Sequence, residues 1–199
     1  MFSISKKKYI IALAILSVST TSVAKEISYD YVEATYGSVT VDAGAGDVDG
    51  NGISVSGSFS VAPAIAFEAG YARTNYDKFR GKDLETTALT FGMIAHASIS
   101  SGTDIYGSLS VIKSDIKAST GSRTIDDDTG NVISIGLRHS ATDVIELDAG
   151  MARTDIFDDQ SNVFFLGARF YAAENFSLAA GYSTGGDVST LALNARIDF

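Results

Sequence analysis

The C-terminal stretch TLALNARIDF, residues 190–199, alternates between apolar and polar side chains along most of its length. One face carries Leu191, Leu193, Ala195, Ile197 and Phe199. The other face includes Asn194, Arg196 and Asp198. Successive side chains of a β-strand point to opposite faces, so one face suits lipid and the other suits a polar interior. The stretch is therefore typical of a strand in a transmembrane β-barrel.

The same two-residue period recurs along the rest of the chain and predicts an all-β, antiparallel up-and-down barrel of about ten strands. It is clearest between Ile53 and Val61, where four serines alternate with apolar residues and glycine, a period that a helix does not produce. The predicted strands cover residues 29–41, 53–61, 65–72, 89–98, 104–113, 132–140, 144–153, 163–171, 176–183 and 189–199. Most are close to the 9–11 residues that a tilted membrane strand needs. Eight strands, with two of these segments misassigned, are the alternative.

The predicted connections differ in length at the two ends of the barrel. Those at residues 62–64, 100–103, 141–143 and 172–175 are short, whereas those around 42–52, 74–87, 114–131 and 154–162 are longer and polar. The connection at 184–188 is short although it falls on the long-loop side. Outer-membrane barrels have short periplasmic turns and longer extracellular loops, so we expect the same orientation here.

The N-terminus has the pattern of a secretory signal peptide. Lys6, Lys7 and Lys8 precede an apolar run of about eight residues, and Ser22-Val23-Ala24 supplies the small residues of a cleavage site. We expect cleavage after Ala24, with residues 1–24 removed and residues 25–199 forming the barrel domain. An uncleaved anchor helix is the alternative, but the apolar run is shorter than the roughly 20 residues of a membrane span.

Composition narrows the functional class. The 15 Lys and Arg residues include the three lysines of the signal, so 12 basic side chains face 24 acidic ones in the mature chain, a formal charge of about −12. Such a charge argues against a nucleic-acid partner. The chain has no cysteine and one proline, so it has no disulfide or thiolate metal site, and little interrupts its strand ladders.

Taken together, these features resemble the OmpA-like small outer-membrane β-barrel proteins. The resemblance rests on the signal pattern, the alternating strands, the Arg196-Ile197-Asp198-Phe199 end and inward glycines within the strands, namely Gly70, Gly92, Gly136, Gly150, Gly167 and Gly181. It implies a barrel in the outer membrane of a Gram-negative bacterium, in which Phe199 is the signal read by the barrel-assembly machinery. The chain departs from the smallest members in having about ten strands instead of eight, and we expect no peptidoglycan-binding domain after the barrel.

Aromatic residues are predicted to form two girdles on the lipid-facing side, one at each interface. The girdle on the long-loop side comprises Tyr36, Tyr71, Phe91, Phe164 and Tyr182. The girdle on the short-turn side comprises Phe59, Phe170, Phe176 and Phe199. A soluble β-sandwich with these aromatics on its inner face is the alternative, and the signal peptide, the terminal Phe and the difference between turns and loops argue against it.

Seven charged residues are predicted to share the lumen: Glu33, Glu68, Arg138, Glu146, Asp148, Arg169 and Arg196. An unpaired buried charge is costly, so we expect acid–arginine pairs across the interior. The favoured interpretation is a structural plug of salt bridges in a protein with a structural or surface-interaction role. The alternative is a narrow porin-like channel for small solutes or ions, although barrels of this size are usually filled by side chains.

No catalytic residues are predicted. Ten-stranded barrels include the omptin proteases, which combine acids and a histidine at the extracellular rim, but His96 and His139 fall near the opposite ends of their strands. His139 and Ser140 are adjacent on one strand and so point to opposite faces. We therefore interpret the histidines as interfacial residues without partners.

No cofactor is predicted, and a metal site only weakly. In the first loop Asp47, Asp49, Asn51 and Gly52 resemble half of a calcium loop, but Ser58 occupies the position of the bidentate glutamate. A weak surface calcium site competes with a plain acidic turn. Expected partners are membrane lipid and lipopolysaccharide, whose phosphates divalent cations would bridge to acidic loops, and the protein is expected to be a monomer.

Overall fold

A computed structural model of the protein describes residues 27–44, 46–79, 82–118 and 124–199, and the predicted signal peptide lies outside this part of the chain. The described residues form ten strands: β1 (Tyr31–Asp42), β2 (Asp47–Ala62), β3 (Ile65–Phe79), β4 (Lys82–Ser100), β5 (Thr103–Ala118), β6 (Thr124–Thr142), β7 (Ile145–Ile156), β8 (Asp159–Ala173), β9 (Phe176–Gly185) and β10 (Val188–Asp198). Within these ranges, no helix is long and apolar enough to cross a membrane.

Each strand pairs antiparallel with its sequence neighbours, and β1 pairs with β10, so the sheet closes into an up-and-down barrel. The closing ladder extends from Tyr31 opposite Asp198 to Val41 opposite Val188. The prediction of ten strands is therefore confirmed. Both the start of β1 and the end of β10 lie at one end of the barrel, which we call the terminal end. The other end is called the far end.

The outer wall of the barrel carries a band of exposed apolar side chains. Val32, Val55, Leu109, Ile135 and Leu193 are each about half exposed on this face. The nine aromatic residues predicted for the girdles also point outward, and Phe67 joins them by packing between Phe59 and Phe91 with ring centroids 5.8 and 6.1 Å away. Such a band is suited to the hydrocarbon region of a bilayer, and the closed ladder leaves no strand edge within it.

The long polar loops predicted at the far end are wrong in extent. Residues expected there are mostly paired in strands, so β4 and β6 each reach 19 residues. β7 and β8 are separated by two residues only, Phe157 and Asp158. The barrel wall itself extends beyond the apolar band, and it carries outward many of the acidic residues that we had placed on loops.

The polarity of the alternation inverts where the wall leaves the band. On the outward face of β5, Leu109 and Val111 lie within the band, and Lys113 and Asp115 lie beyond it toward the far end. The inward positions of the same strand change from Ser110 to Ile112. Outside a bilayer the outer face meets water and the enclosed face must supply the core, so the pattern reverses. An apolar doublet marks the inversion in three strands: Val111-Ile112, Val132-Ile133 and Val163-Phe164.

Candidate functional site: the filled lumen

The lumen contains two layers of side chains, and the one nearer the terminal end is charged. This charged layer comprises Glu33, Glu68, Asp104, Arg138, Glu146, Asp148, Arg169, Arg196 and Asp198. The arginines come from β6, β8 and β10, and most of the acids come from the odd-numbered strands. Inward positions of neighbouring strands lie opposite one another, for example Glu33 opposite Arg196 and Arg138 opposite Asp148. The strand register alone therefore interleaves opposite charges.

Arg169 makes the shortest ion pair of the layer, and it does so across the lumen. Its Nη2 donates to Oε2 of Glu33 at 2.5 Å, and its Nη1 donates to Oγ of Ser177 at 2.9 Å. Arg169 is 2% exposed and Glu33 is 1% exposed. Because β9 and β10 lie between β8 and β1 in the sheet, this pair links two parts of the wall that share no backbone ladder.

Arg138 is held by one carboxylate and two aromatic rings. Its Nε donates to Oε1 of Glu146 at 3.4 Å, and its Cζ lies 4.5 Å from the ring centroid of Tyr29 and 6.0 Å from that of Tyr106. Tyr106 in turn donates to Oδ1 of Asp148 at 3.2 Å. Cation–π contacts of this kind gain strength away from water, so the rings add to the stabilisation by Glu146.

Arg196 packs in the lumen against an aromatic ring, that of Tyr31. Its Cζ lies 3.2 Å from the ring centroid of Tyr31, and its Nε lies 3.2 Å from Oδ1 of Asp198. The guanidinium is fully buried. Tyr31 precedes Glu33 on the inward face of β1, so the same strand supplies contacts to two of the three arginines.

Glu68 and Asp148 behave differently from the predicted acid–arginine pairs. Glu68 accepts a hydrogen bond from Oγ of Ser110 at 2.5 Å, and Asp148 accepts one from Tyr106. Neither carboxylate forms an ion pair with an arginine within the described part of the chain. The structure thus pairs Glu33 with Arg169 and Glu146 with Arg138, and it leaves the other two predicted acids with hydroxyl partners.

Sequence reasoning missed a cluster around Asp104 at the terminal end. Ser98 donates to Oδ1 of Asp104 at 2.7 Å, and Tyr29 donates to Oδ2 at 3.4 Å. Burial raises the pKa of Tyr29 to about 12, so its hydroxyl stays protonated near neutral pH. Asp104 shares the inward face of β5 with Ser108 and Ser110, and this alternation was the signal that would have found it.

The expectation that both histidines lack partners is wrong. The ring of His96 stacks on Tyr29 with centroids 3.6 Å apart, and its Nδ1 lies 3.9 Å from Oδ2 of Asp104. Nδ1 of His139 lies 3.0 Å from the hydroxyl of Thr103 on the adjacent strand. Because Ser98 donates to Asp104 instead of to His96, this hydroxyl and imidazole are not arranged as a nucleophile and its base.

The second layer fills the far end of the lumen and is mainly apolar. It comprises Val39, Val41, Val48, Ala72, Tyr76, Ala88, Ile112, Ile116, Val132, Ala152, Ile156 and Val188. Several of these side chains are fully buried, including Val39, Val41 and Ile112. Buried hydroxyl groups lie among them, namely those of Thr74, Thr86, Ser114 and Thr154. Together these side chains close the far end of the barrel with a packed, mainly apolar core.

The turn between β7 and β8 covers the apolar layer. Phe157 has a φ of 57°, a rare conformation for a bulky residue. Its side chain packs on the apolar cluster, and its N–H donates to Oδ2 of Asp128 at 2.6 Å. These two contacts hold the ring over the far end of the lumen.

A small cavity of about 50 Å³ lies between the two layers. Inward residues from both sides line it, among them Thr35, Asp148, Thr190, Ala192 and Asn194. A volume of this size accommodates a few water molecules among polar partners. It is far below the several hundred Å³ of a site for a drug-sized ligand.

The calcium candidate gains no support from the geometry. Asp47, Asp49 and Asn51 lie on the outward face of β2 and not in a loop, so their side chains form a row along the strand. Asp49 accepts a hydrogen bond from Thr40 at 2.8 Å. Among the described residues, no three acidic, histidine or cysteine side chains are grouped so that they could hold a metal ion.

Comparisons with known proteins agree with this architecture. Residues 10–183 match a family described as the outer membrane protein beta-barrel domain. The fold is similar to that of Neisserial surface protein A, with a TM-score of 0.51, 16% identity and coverage of 86% of this chain and 98% of that one. It is also similar to the transport unit of the autotransporter AIDA-I from Escherichia coli, with a TM-score of 0.51, 10% identity and 95% of each chain covered. No curated protein matches the sequence.

Proposed function

The chain belongs to the outer membrane protein beta-barrel domain family and lies in the outer membrane, and from this premise we propose that it is a non-conducting surface protein without catalytic activity. Its role in this proposal is structural and interactional. The far end of the barrel faces the outside of the cell, and the terminal end faces the periplasm, as in barrels with periplasmic termini.

The observation that carries this proposal is the double filling of the lumen. An ion must cross the charged layer, in which Arg169 and Glu33 are joined across the interior at 2.5 Å, and then the apolar layer around Ile112. Entry of an ion into a packed apolar region is strongly unfavourable. The two layers therefore support a plug, and not a lining of water.

The extended wall supports the interactional part of the proposal. Asp42, Asp77, Asp127 and Asp155 point outward beyond the apolar band, and Asp158 lies on a turn at the far end. Since these carboxylates lie on paired strands and a tight turn, they form a preorganised acidic surface. A preorganised surface loses less conformational entropy on binding than a disordered loop does.

The proposal also includes the oligomeric state and the assembly of the protein: it is a monomer, and the assembly machinery recognises Phe199. The closed ladder between β1 and β10 leaves no unpaired strand in the described barrel that would recruit a second copy. Phe199 lies on the outward face and is 74% exposed. This exposure is consistent with recognition of the residue by the assembly machinery before insertion.

A narrow pore is the alternative, and the 50 Å³ cavity between the layers is the observation in its favour. For this cavity to conduct, both layers would have to open. The positions of Ile112 and Val39, both fully buried, oppose this at the far end. Conduction is therefore the outcome that would overturn the proposal.

Single-channel recording in planar lipid bilayers tests the proposal. We expect refolded residues 25–199 to insert and give no discrete openings, because the lumen is filled. A gel-mobility assay with and without heating confirms that the same sample contains folded barrel. A known porin refolded in the same detergent serves as the positive control, and steady discrete openings of the folded protein would establish a pore instead.

A further inference from the structure

Three exposed basic residues lie at the border of the apolar band that is nearer the far end of the barrel. Arg73, Lys113 and Arg153 are on β3, β5 and β7, the odd-numbered strands of one side of the barrel. Each side chain points outward and is exposed. We call these three residues the basic rim.

On the outward face of its strand, each residue of the basic rim is the next side chain after the last lipid-facing one. On the outward face, Arg73 comes after Tyr71, a girdle residue that is 46% exposed. Val111 precedes Lys113 in the same way, and Met151 precedes Arg153. The rim therefore marks the level at which the wall passes from hydrocarbon to headgroups.

The cross-strand neighbours of the three bases repeat one arrangement. Arg73 lies opposite Ile53, Lys113 opposite Leu89, and Arg153 opposite Ile133. These three apolar partners are 60%, 58% and 56% exposed on the lipid side. The aliphatic part of each basic side chain can thus lie along an apolar neighbour while its charge reaches the headgroup level.

Neighbouring polar groups orient two of the three charges. Nη2 of Arg73 lies 2.6 Å from Oε2 of Glu85, and Nη2 of Arg153 donates to Oε1 of Gln160. Gln160 also donates to Asp155 at 2.7 Å. Glu85 and Asp155 both lie farther from the apolar band than the bases they neighbour, so the charge changes from basic at the rim to acidic above it.

We propose that the basic rim binds the phosphate groups of glycolipid headgroups in the outer leaflet. This inference rests on the proposed surface role and adds a partner and its contact residues. Arginine matches a phosphate with paired N–H donors, and lysine contributes a point charge. The three strands are each separated by one intervening strand, or about 10 Å at 4.7–4.9 Å per strand, so the bases form a row and not a single cluster.

Acidic residues bridged by divalent cations are the competing mode of attachment, which the sequence suggested. In the described part of the chain, no three carboxylates are grouped so that they could hold a metal ion by themselves. The bases need no bridging cation, so lipid binding through the rim should survive a chelator. This difference separates the two modes.

The test uses the refolded barrel in detergent with purified lipid A that carries both phosphates, and native mass spectrometry to count retained lipid. We expect the combined variant Arg73→Gln, Lys113→Gln and Arg153→Gln to bind lipid A at least tenfold more weakly, since each base near an anionic surface contributes about fivefold. Lys117→Gln is the matched control, because Lys117 lies on the same strand as Lys113 but farther from the apolar band. This variant should bind lipid A as the wild type does. Lipid A stripped of its phosphates should bind the wild type as weakly as the triple variant binds intact lipid A.

Equal binding of lipid A by the wild type and the triple variant would overturn the inference, as would loss of binding on addition of EDTA. The proposed function is judged separately by conductance of the same preparations. A silent barrel with unchanged lipid binding refutes only the basic rim. Discrete openings refute the non-conducting proposal whatever the lipid result.

Discussion

Replacing Arg169 with methionine should lower the free energy of unfolding by about 3–5 kcal/mol, because it leaves the buried carboxylate of Glu33 without its partner. Arg169 donates to Glu33 at 2.5 Å, and both side chains are almost completely buried. The measurement is urea unfolding of the refolded barrel in lipid, followed by the fraction that keeps folded mobility on unheated gels.

A double variant separates the lost pair from lost packing. Replacement of both Arg169 by methionine and Glu33 by leucine removes the two charges together, and we expect it to recover most of the stability that the single variant loses. Arg73→Met is the matched control, since Arg73 and Glu85 form a similarly short pair of 2.6 Å at the exposed outer face. It should cost less than about 1 kcal/mol. Equal effects at Arg169 and Arg73 would contradict a structural role for the charged layer.

The second large effect is expected at Ile112, in the centre of the apolar layer. Ile112→Ala should destabilise the barrel by about 2–5 kcal/mol, because it leaves a cavity in a packed core. Ile112 is fully buried and packs in the cluster that includes Ala88, Ile116 and Val132. The same unfolding assay measures the change.

Val111→Ala is the matched control for this prediction. Val111 precedes Ile112 in β5 but faces outward and is half exposed, so lipid fills the space that its methyl groups leave. We expect a change below about 1 kcal/mol. If Ile112→Ala were as mild as Val111→Ala, the far end of the lumen would not be a packed core.

Alternation predicted about ten strands and the inward faces that carry the seven charges, whereas the signal pattern, the terminal Phe and the difference between turns and loops favoured a barrel over a sandwich. The period of a strand is two, so a face assigned from one residue fixes every other residue of that strand. This is why Glu33, Arg138 and Arg169 could be placed in the lumen from the sequence. The partners could not be predicted, because Arg169 pairs with Glu33 across the interior and not with Glu146, which lies opposite it in the register.

The extent of the strands was wrong because polar outward residues were interpreted as loops. Beyond the bilayer the outer face of a strand is polar and its inner face apolar, so the alternation persists with reversed sign. The doublet Val111-Ile112 shows this reversal in the sequence. The same error hid part of the apolar layer, because Val48, Tyr76 and Ile116 fell within connections that were predicted as polar loops.

The tyrosines of the lumen were missed for a different reason. Tyr29, Tyr31 and Tyr106 were assigned no role, although all three lie on inward faces of predicted strands. Their rings stabilise Arg138 and Arg196 by cation–π contacts, and these contacts depend on distances across the lumen. Strand periodicity gives the face of a residue, but it does not give such distances.

Accessibility of the lumen from outside the cell tests the central claim most directly. The chain has no cysteine, so Ser56→Cys and Ser38→Cys each introduce a single thiol, the first buried in the lumen and the second exposed on the outer wall. With a membrane-impermeant maleimide added to intact cells, we predict rapid labelling at position 38 and labelling at position 56 only after the barrel is unfolded. Labelling of both positions at similar rates in the folded protein would contradict a lumen closed by two layers of side chains.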